Sequence, residues 1–336
     1  MFALLSLYPN YMTKWTGDMN KLKVTLLAAS LGFASISANA VLITEWSYLN
    51  DAGFDAYTSD LGSDPIDQTG ITATGETLDE FDTMFGGELP KDLAWGNPWI
   101  PQNPEGKQSQ LVIDDAKGTA LGDGTVLTSK VDGALQGGLL DTDWTDGTGL
   151  VHNNYGVSGD FLEGALLYDG LFLAPAEPFA TPLAPAPLLV FAVLFEETTN
   201  YPGGDLVAGS TCAYGDGVTG EVGTDNEFGC SDLFTVVIPD DVSYTQDPDG
   251  TLYLSNNFQI DDEYVYTITT RLAGLEAVEN VACVTGATCL GFVTVEGSDN
   301  ELSAAFSITA TSVTEPGTLA IFGLGLLGLA SVRRRA

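Results

Sequence analysis

Basic residues and histidine are what this chain has least of. Its 336 residues carry 11 Lys and Arg against 46 Asp and Glu, with a single histidine. The imbalance is sharper between Val41 and Glu315, where the basic residues are Lys91, Lys107, Lys117, Lys130 and Arg271. Against them stand 45 acids, a net charge of −40. Phosphate backbones are bound through Lys and Arg, so this composition excludes nucleic acid as a partner. Cysteine is scarce too, with four residues and no CxxC spacing; with the one histidine far away in sequence, a zinc site is disfavoured. No P-loop, dinucleotide fingerprint or zinc-protease motif occurs. Amphipathic helical patterns are also few, and "LAGLEAVEN" (272–280) is the best short candidate.

What is present divides the chain by composition. From Met19 it reads "MNKLKVTLLAASLGFASISANA", with Lys21 and Lys23 ahead of an apolar run from Val24 to Ile36. Ala38 and Ala40 then supply the small residues that a signal peptidase requires. This order of basic, apolar and small residues predicts an export signal over 19–40, helical in its apolar run. Residues 1–18 fit poorly ahead of such a signal and read as an upstream extension, with Met19 the expected start.

The acidic stretch 41–312 holds regular apolar and aromatic clusters, unlike a disordered acidic tail. It is long enough for a sizeable core. Runs such as "QLVIDD", "GTVLTSKVDG", "LLVFAVLFEE", "LFTVVIPDD", "YVYTITTRL", "FVTVEG" and "AAFSITATSV" are separated by Gly, Asp, Asn and Pro. β-Branched and aromatic residues favour a pleated surface, and DG and GD dipeptides supply turns. The expectation is an all-β fold, an antiparallel β-sandwich in one domain, with a jelly-roll order left open. Five prolines between Leu171 and Val190 predict an extended surface loop, because proline cannot donate to a ladder.

In an exported chain, four cysteines suggest two disulfides. Of the three connectivities, Cys212–Cys230 with Cys283–Cys289 is preferred because each loop is short. His152, in "GLVHNNYGVSGD", is the one imidazole available for acid–base work. Ser158 beside it does not sit in a nucleophile elbow. A structural role in tying a turn or strand end therefore outweighs a catalytic one. Asp141, Asp143 and Asp146 in "DTDWTDG", and Asp247 and Asp249 in "QDPDG", place carboxylates near glycine turns, as calcium prefers. Neither matches an EF-hand loop, and solvated turns are the stronger reading. Paired glycosidase carboxylates are not readable among so many acids. Trp46, Trp95, Trp99 and Trp144 would stack on sugars if exposed and would be core if buried. No enzyme signature emerges, and no cofactor beyond this weak calcium candidate is expected.

The last stretch, "TEPGTLAIFGLGLLGLASVRRRA", sets Glu315, Pro316 and Gly317 before a short apolar run and ends with Arg333, Arg334 and Arg335. Leu319 to Val332 would form a helix of about 21 Å at ~1.5 Å per residue. That is short of the ~30 Å hydrocarbon core. The arginines would hold its end on the cytoplasmic side. This tail resembles that of bacterial PEP-CTERM proteins, with Thr314 where the first proline of the motif would stand. The resemblance implies that 313–336 is a sorting segment with transient contact with the inner membrane. It also implies exosortase as a processing partner, alongside signal peptidase.

The body is similar to the THxN subgroup of that family. Trp95 and Gly96, then Ser109 and Leu111, match its Trp-Gly and Ser-x-Leu segment. His152 and Asn154 match its Thr-His-x-Asn motif, with Val151 in place of threonine. The subgroup carries no activity to transfer. What the resemblance implies is a non-enzymatic protein of a Gram-negative cell surface or extracellular matrix, associated with exopolysaccharide and biofilm. A carbohydrate-binding or calcium-dependent adhesive module is the alternative, and a polysaccharide-active enzyme the third.

Overall fold

Short apolar runs that alternate with polar residues can hide one face only by lying in sheets, and the chain does this throughout. The computed structural model describes residues 41–313, except 62–65, 100–102, 104, 119–123, 137–143, 177–183, 186–187, 199–208, 215–216, 239–241, 261, 275, 279–280 and 282–287. Among the described residues, fourteen strands have four or more residues. The first seven are β1 (Glu45–Thr58), β2 (Ile71–Thr74), β3 (Asp92–Trp95), β4 (Ser109–Ile113), β5 (Thr125–Val131), β6 (Leu150–Asn154) and β7 (Gly164–Pro175). The others are β8 (Leu189–Glu196), β9 (Asp232–Ile238), β10 (Ser243–Gln246), β11 (Leu252–Phe258), β12 (Tyr264–Ala273), β13 (Thr288–Thr294) and β14 (Ser298–Ser312).

Two sheets result. One runs β5–β1–β7–β8–β9–β13. The other runs β2–β3–β4–β6–β14–β12–β11–β10. β5 joins them: Thr125 to Leu127 pairs with β1, while Thr128 to Val131 runs parallel to Ile308–Ala310 of β14. Every other strand pairing described is antiparallel. β14 is long enough to pair β6 with its first residues and β12 with the rest, so it spans the second sheet's centre.

The sheets meet face to face. Phe54, Phe191, Val193, Phe195, Phe234 and Phe292 of the first sheet pack in one cluster with Leu93, Trp95, Leu111, Leu150, Leu254 and Leu302 of the second. β8 shows the alternation a half-covered strand should have, whereas β9 is buried at all seven positions. A second cluster around Trp46, Tyr266 and Phe306 extends the core, with the Trp46 indole donating to Thr128 at 2.9 Å. This is the all-β sandwich that the strand pattern predicts.

Two local expectations are corrected. The described residues of "LAGLEAVEN" are not helical: Leu272 and Ala273 end β12, and Glu276–Val278 pairs with β13. Cross-strand pairing outweighs the weak helical preference of so short a piece. The loop expected from Leu171 to Val190 is narrower than the prolines suggest. Leu171 to Pro175 completes β7 against Trp46–Asn50 of β1, and Leu189 and Val190 already belong to β8. Pro175 is tolerated because it is the strand's last residue. The helical turn that does occur, Asp79–Phe81 followed by Asp82–Phe85, stacks Phe81 on Phe85 at 5.2 Å over Leu49 and Leu89. Buried Asp51 anchors it by accepting from the Leu78 amide (2.8 Å) and pairing with Lys91 (2.9 Å).

Candidate functional site

The residues singled out by sequence converge on three neighbouring strands. Trp95 of β3 pairs in register with Ser109 of β4, and Leu111 of β4 pairs with His152 of β6. Trp95 and His152 stack at 5.5 Å, and Phe195 of the facing sheet closes edge-on over both rings. His152 is 2 % exposed, and neither ring nitrogen has a hydrogen-bond partner. Burial pushes its pKa down to about 3, so the imidazole is neutral near pH 7. An imidazole in that setting has no contact with solvent through which to exchange a proton. Ser109 Oγ donates to the Tyr155 carbonyl (2.9 Å) and accepts from the Tyr155 amide (3.0 Å). Gly96 has φ +73°, and a Cβ there would lie 2.6 Å from the Val157 Cβ, so only glycine fits. The motif builds a strand end.

Asn154 closes β6 and does something different. Its side-chain Nδ2 donates to the Thr294 carbonyl (3.1 Å), and its backbone carbonyl accepts from the Gly297 amide (2.8 Å). Both bonds hold the turn between β13 and β14. Asn300 holds the same turn from within: its Oδ1 accepts from the Val295 amide (2.7 Å) and its Nδ2 reaches the Val295 and Ser298 carbonyls. That turn carries Glu296.

Glu296 does not stand alone. Glu197 follows β8, Asp232 opens β9, and the registers Glu196↔Leu233 and Asp232↔Thr294 bring these strand ends side by side. Carboxylate oxygens of Glu197, Asp232 and Glu296 lie within 4.8 Å of one another. Asp232 is fully buried and Glu296 is 2 % exposed, while Glu197 is half-buried. Asp232 Oδ1 accepts from the Thr198 amide (2.6 Å), but its Oδ2 and both Glu296 oxygens have no hydrogen-bond partner. Two ionised carboxylates at such a spacing repel by ~3 kcal/mol at an effective dielectric of about 20. Burial raises the Asp232 pKa to about 7, against the hydrogen bond from the Thr198 amide that lowers it. Burial, then the Asp232 charge, holds Glu296 well above the usual carboxylate range. The Cys212–Cys230 disulfide ties down the segment leading into Asp232. Three oxygen donors with no nitrogen or sulfur among them suit a hard cation.

A separate polar network lies between the sheets. Asn50 donates to Asp169 (2.7 Å) and to the Gly170 carbonyl (2.8 Å), and its Oδ1 accepts from the Thr148 amide (2.7 Å). Asp169 lines a narrow cleft with Asn256 and Thr270. Burial pushes its pKa up to about 6, against lowering by the Asn50 and Thr148 hydrogen bonds.

Of the other residues named from sequence, the preferred Cys212–Cys230 pair is a disulfide and Cys289 is disulfide-bonded as well. Cys283 lies outside the described residues. So do Ala38, Ala40, Asp141, Asp143, Glu315, Pro316, Gly317 and Arg333 to Arg335. Asp146 is exposed and pairs with Ala305 of β14. Trp46 and Trp95 are core, while half-buried Trp144 packs against Tyr253 with Arg271 over its ring. Sequence reasoning missed the Glu197, Asp232 and Glu296 cluster. Its one signal is that each acid borders a core-strand run: "LLVFAVLFEE", "DLFTVVI" and "FVTVEG".

The fold and these sites define an acidic all-β sandwich. Its tail is more specific: residues 312–335 match the model of the PEP-CTERM protein-sorting motif. The chain carries the motif of exported proteins that cross a membrane and are sorted by exosortase. No curated protein and no solved structure matches the chain. Among the described residues, no helix is long and apolar enough to cross a membrane.

Proposed function

We propose that the chain is a non-enzymatic protein of the extracellular matrix, released from a Gram-negative inner membrane by exosortase cleavage near Pro316. The observation that carries this reading is the sorting motif over 312–335. Its body is taken as a THxN-type sandwich associated with exopolysaccharide and biofilm. The residues of that motif support a structural rather than a catalytic role. His152 is sealed between Trp95 and Phe195, and Ser109 is bonded in both directions to the Tyr155 backbone. Burial of Trp46 and Trp95 removes two of the four tryptophans that would have stacked on sugars. Intact-mass analysis of the chain recovered from the extracellular fraction tests the sorting step. A product beginning at Val41 and ending near Pro316 is expected; one that keeps Arg333 to Arg335 contradicts it. A glycan array then tests the matrix role, because tight binding of one glycan would favour a lectin-like module.

A further inference from the structure

The geometry points to a calcium site made by the carboxylates of Glu197, Asp232 and Glu296 at the strand ends beside Asn154. Acidic residues at a protein surface cluster by chance, especially in a chain this acidic, but two of these are not at the surface. Asp232 and Glu296 are buried and three of their four oxygens lack a donor. Buried polar atoms in native structures almost always have a partner, so a proton, a water or a cation completes these three. A second, non-acidic group says the same. Asn154 is fully buried and its amide donates to the Thr294 carbonyl opposite Asp232, yet its Oδ1 has no donor either. One cation satisfies several such oxygens at once, which a single proton or a single water does not.

The donor set selects the cation. Zinc prefers nitrogen and sulfur, and neither is present. Oxygens within 4.8 Å of one another are close enough to share one calcium ion, whose oxygen ligands lie at ~2.3–2.6 Å. Magnesium demands near-ideal octahedral geometry and gives up its waters reluctantly, so carboxylates brought in from three separate segments suit calcium better. Those ends are held: the Glu296 turn by Asn154 and Asn300, and Asp232 by the Thr198 amide and the disulfide at Cys230. Bound calcium would replace the repulsion among three carboxylates by attraction and join the ends of β6, β8, β9 and β13.

The test uses the full exported chain, depleted with EGTA, then titrated with calcium chloride by calorimetry and melted with and without the ion. The expected result is one calcium per chain, with a dissociation constant on the order of 10⁻³ M or tighter, and a higher Tm in calcium. Glu296→Gln and Asp232→Asn should each weaken binding on the order of 10- to 100-fold, as loss of even outer-shell partners does at metal sites. Each should also melt at or above the wild type in EGTA, because one of the crowded buried carboxyls is replaced by a group that never carries charge. Glu197→Gln, at the half-buried edge, provides a folded variant if the buried ones fail to fold, and Asp146→Asn should bind normally. Absence of a calcium-dependent heat and Tm shift in the wild type overturns the site. So does undiminished binding in a folded variant of any of the three acids. A larger shift with magnesium than with calcium overturns the choice of ion.

Discussion

His152 shows how a residue that looks catalytic in sequence becomes a packing residue in structure. Both of its nitrogens are buried without partners, and its ring is held by Trp95 and Phe195. Replacing an unsatisfied polar ring by an apolar side chain of similar size removes a desolvation penalty. His152→Leu should therefore change unfolding free energy by no more than about 1.5 kcal/mol. Trp95→Ala, which empties the same place, should destabilise by roughly 3–5 kcal/mol. Urea denaturation measures both, and a large loss in His152→Leu would show that the imidazole has an unseen partner. Asp169 gives a residue-scale pH prediction. Its folded pKa of about 6 lies above the ordinary 3.8, so the folded chain keeps a proton that the unfolded chain has released. Its contribution is fully present below about pH 4 and is lost as pH rises through 6. The whole swing is at most about 3 kcal/mol, less because its cleft admits some solvent. Asp169→Asn keeps an acceptor for Asn50 and should match the wild type at pH 4 but exceed it at pH 7. Equal stabilities at pH 7 would remove the argument.

At the scale of elements, the β13–β14 turn and the disulfide loop place the buried acids. Asn300→Ala removes the acceptor of the Val295 amide and should cost about 1–3 kcal/mol, read by thermal melting. Replacing Cys212 and Cys230 by serine opens an 18-residue span, for which loop closure predicts a loss of about 3 kcal/mol. That loss should be accompanied by weaker calcium binding, because the opened chain leads into Asp232. The same elements show what could be read from sequence. Apolar runs such as "LLVFAVLFEE" and "LFTVVIPDD" announce β8 and β9 because a strand's pattern is local. Pairing partners are not local, so Leu171 to Pro175 looked like loop until β1 was seen beside it. The Phe81–Phe85 turn has no helical period to detect in so few residues. The acid cluster was hidden for the same reason: Glu197, Asp232 and Glu296 come from distant segments, and only register joins them.

For the whole molecule, the dominant physical fact is charge. Between Val41 and Glu315 the net charge of −40 is spread over a sandwich with five basic residues, and the compact state gathers that charge into a smaller volume than the unfolded chain does. Self-repulsion of this kind is screened by any salt, with a Debye length falling from ~30 Å at 0.01 M to ~3 Å at 1 M. Calcium at the buried cluster acts by coordination and saturates at its binding constant. The two effects are separable because they depend differently on ion and concentration. Sodium chloride should raise the Tm of the exported chain progressively between 0.01 and 1 M. Glu296→Gln should keep that rise in full while losing the calcium-dependent step. A Tm independent of sodium chloride would mean that the acids are already spaced widely enough not to oppose folding. The acidity would then act on solubility and on the cations the protein meets after export, with no part in its stability.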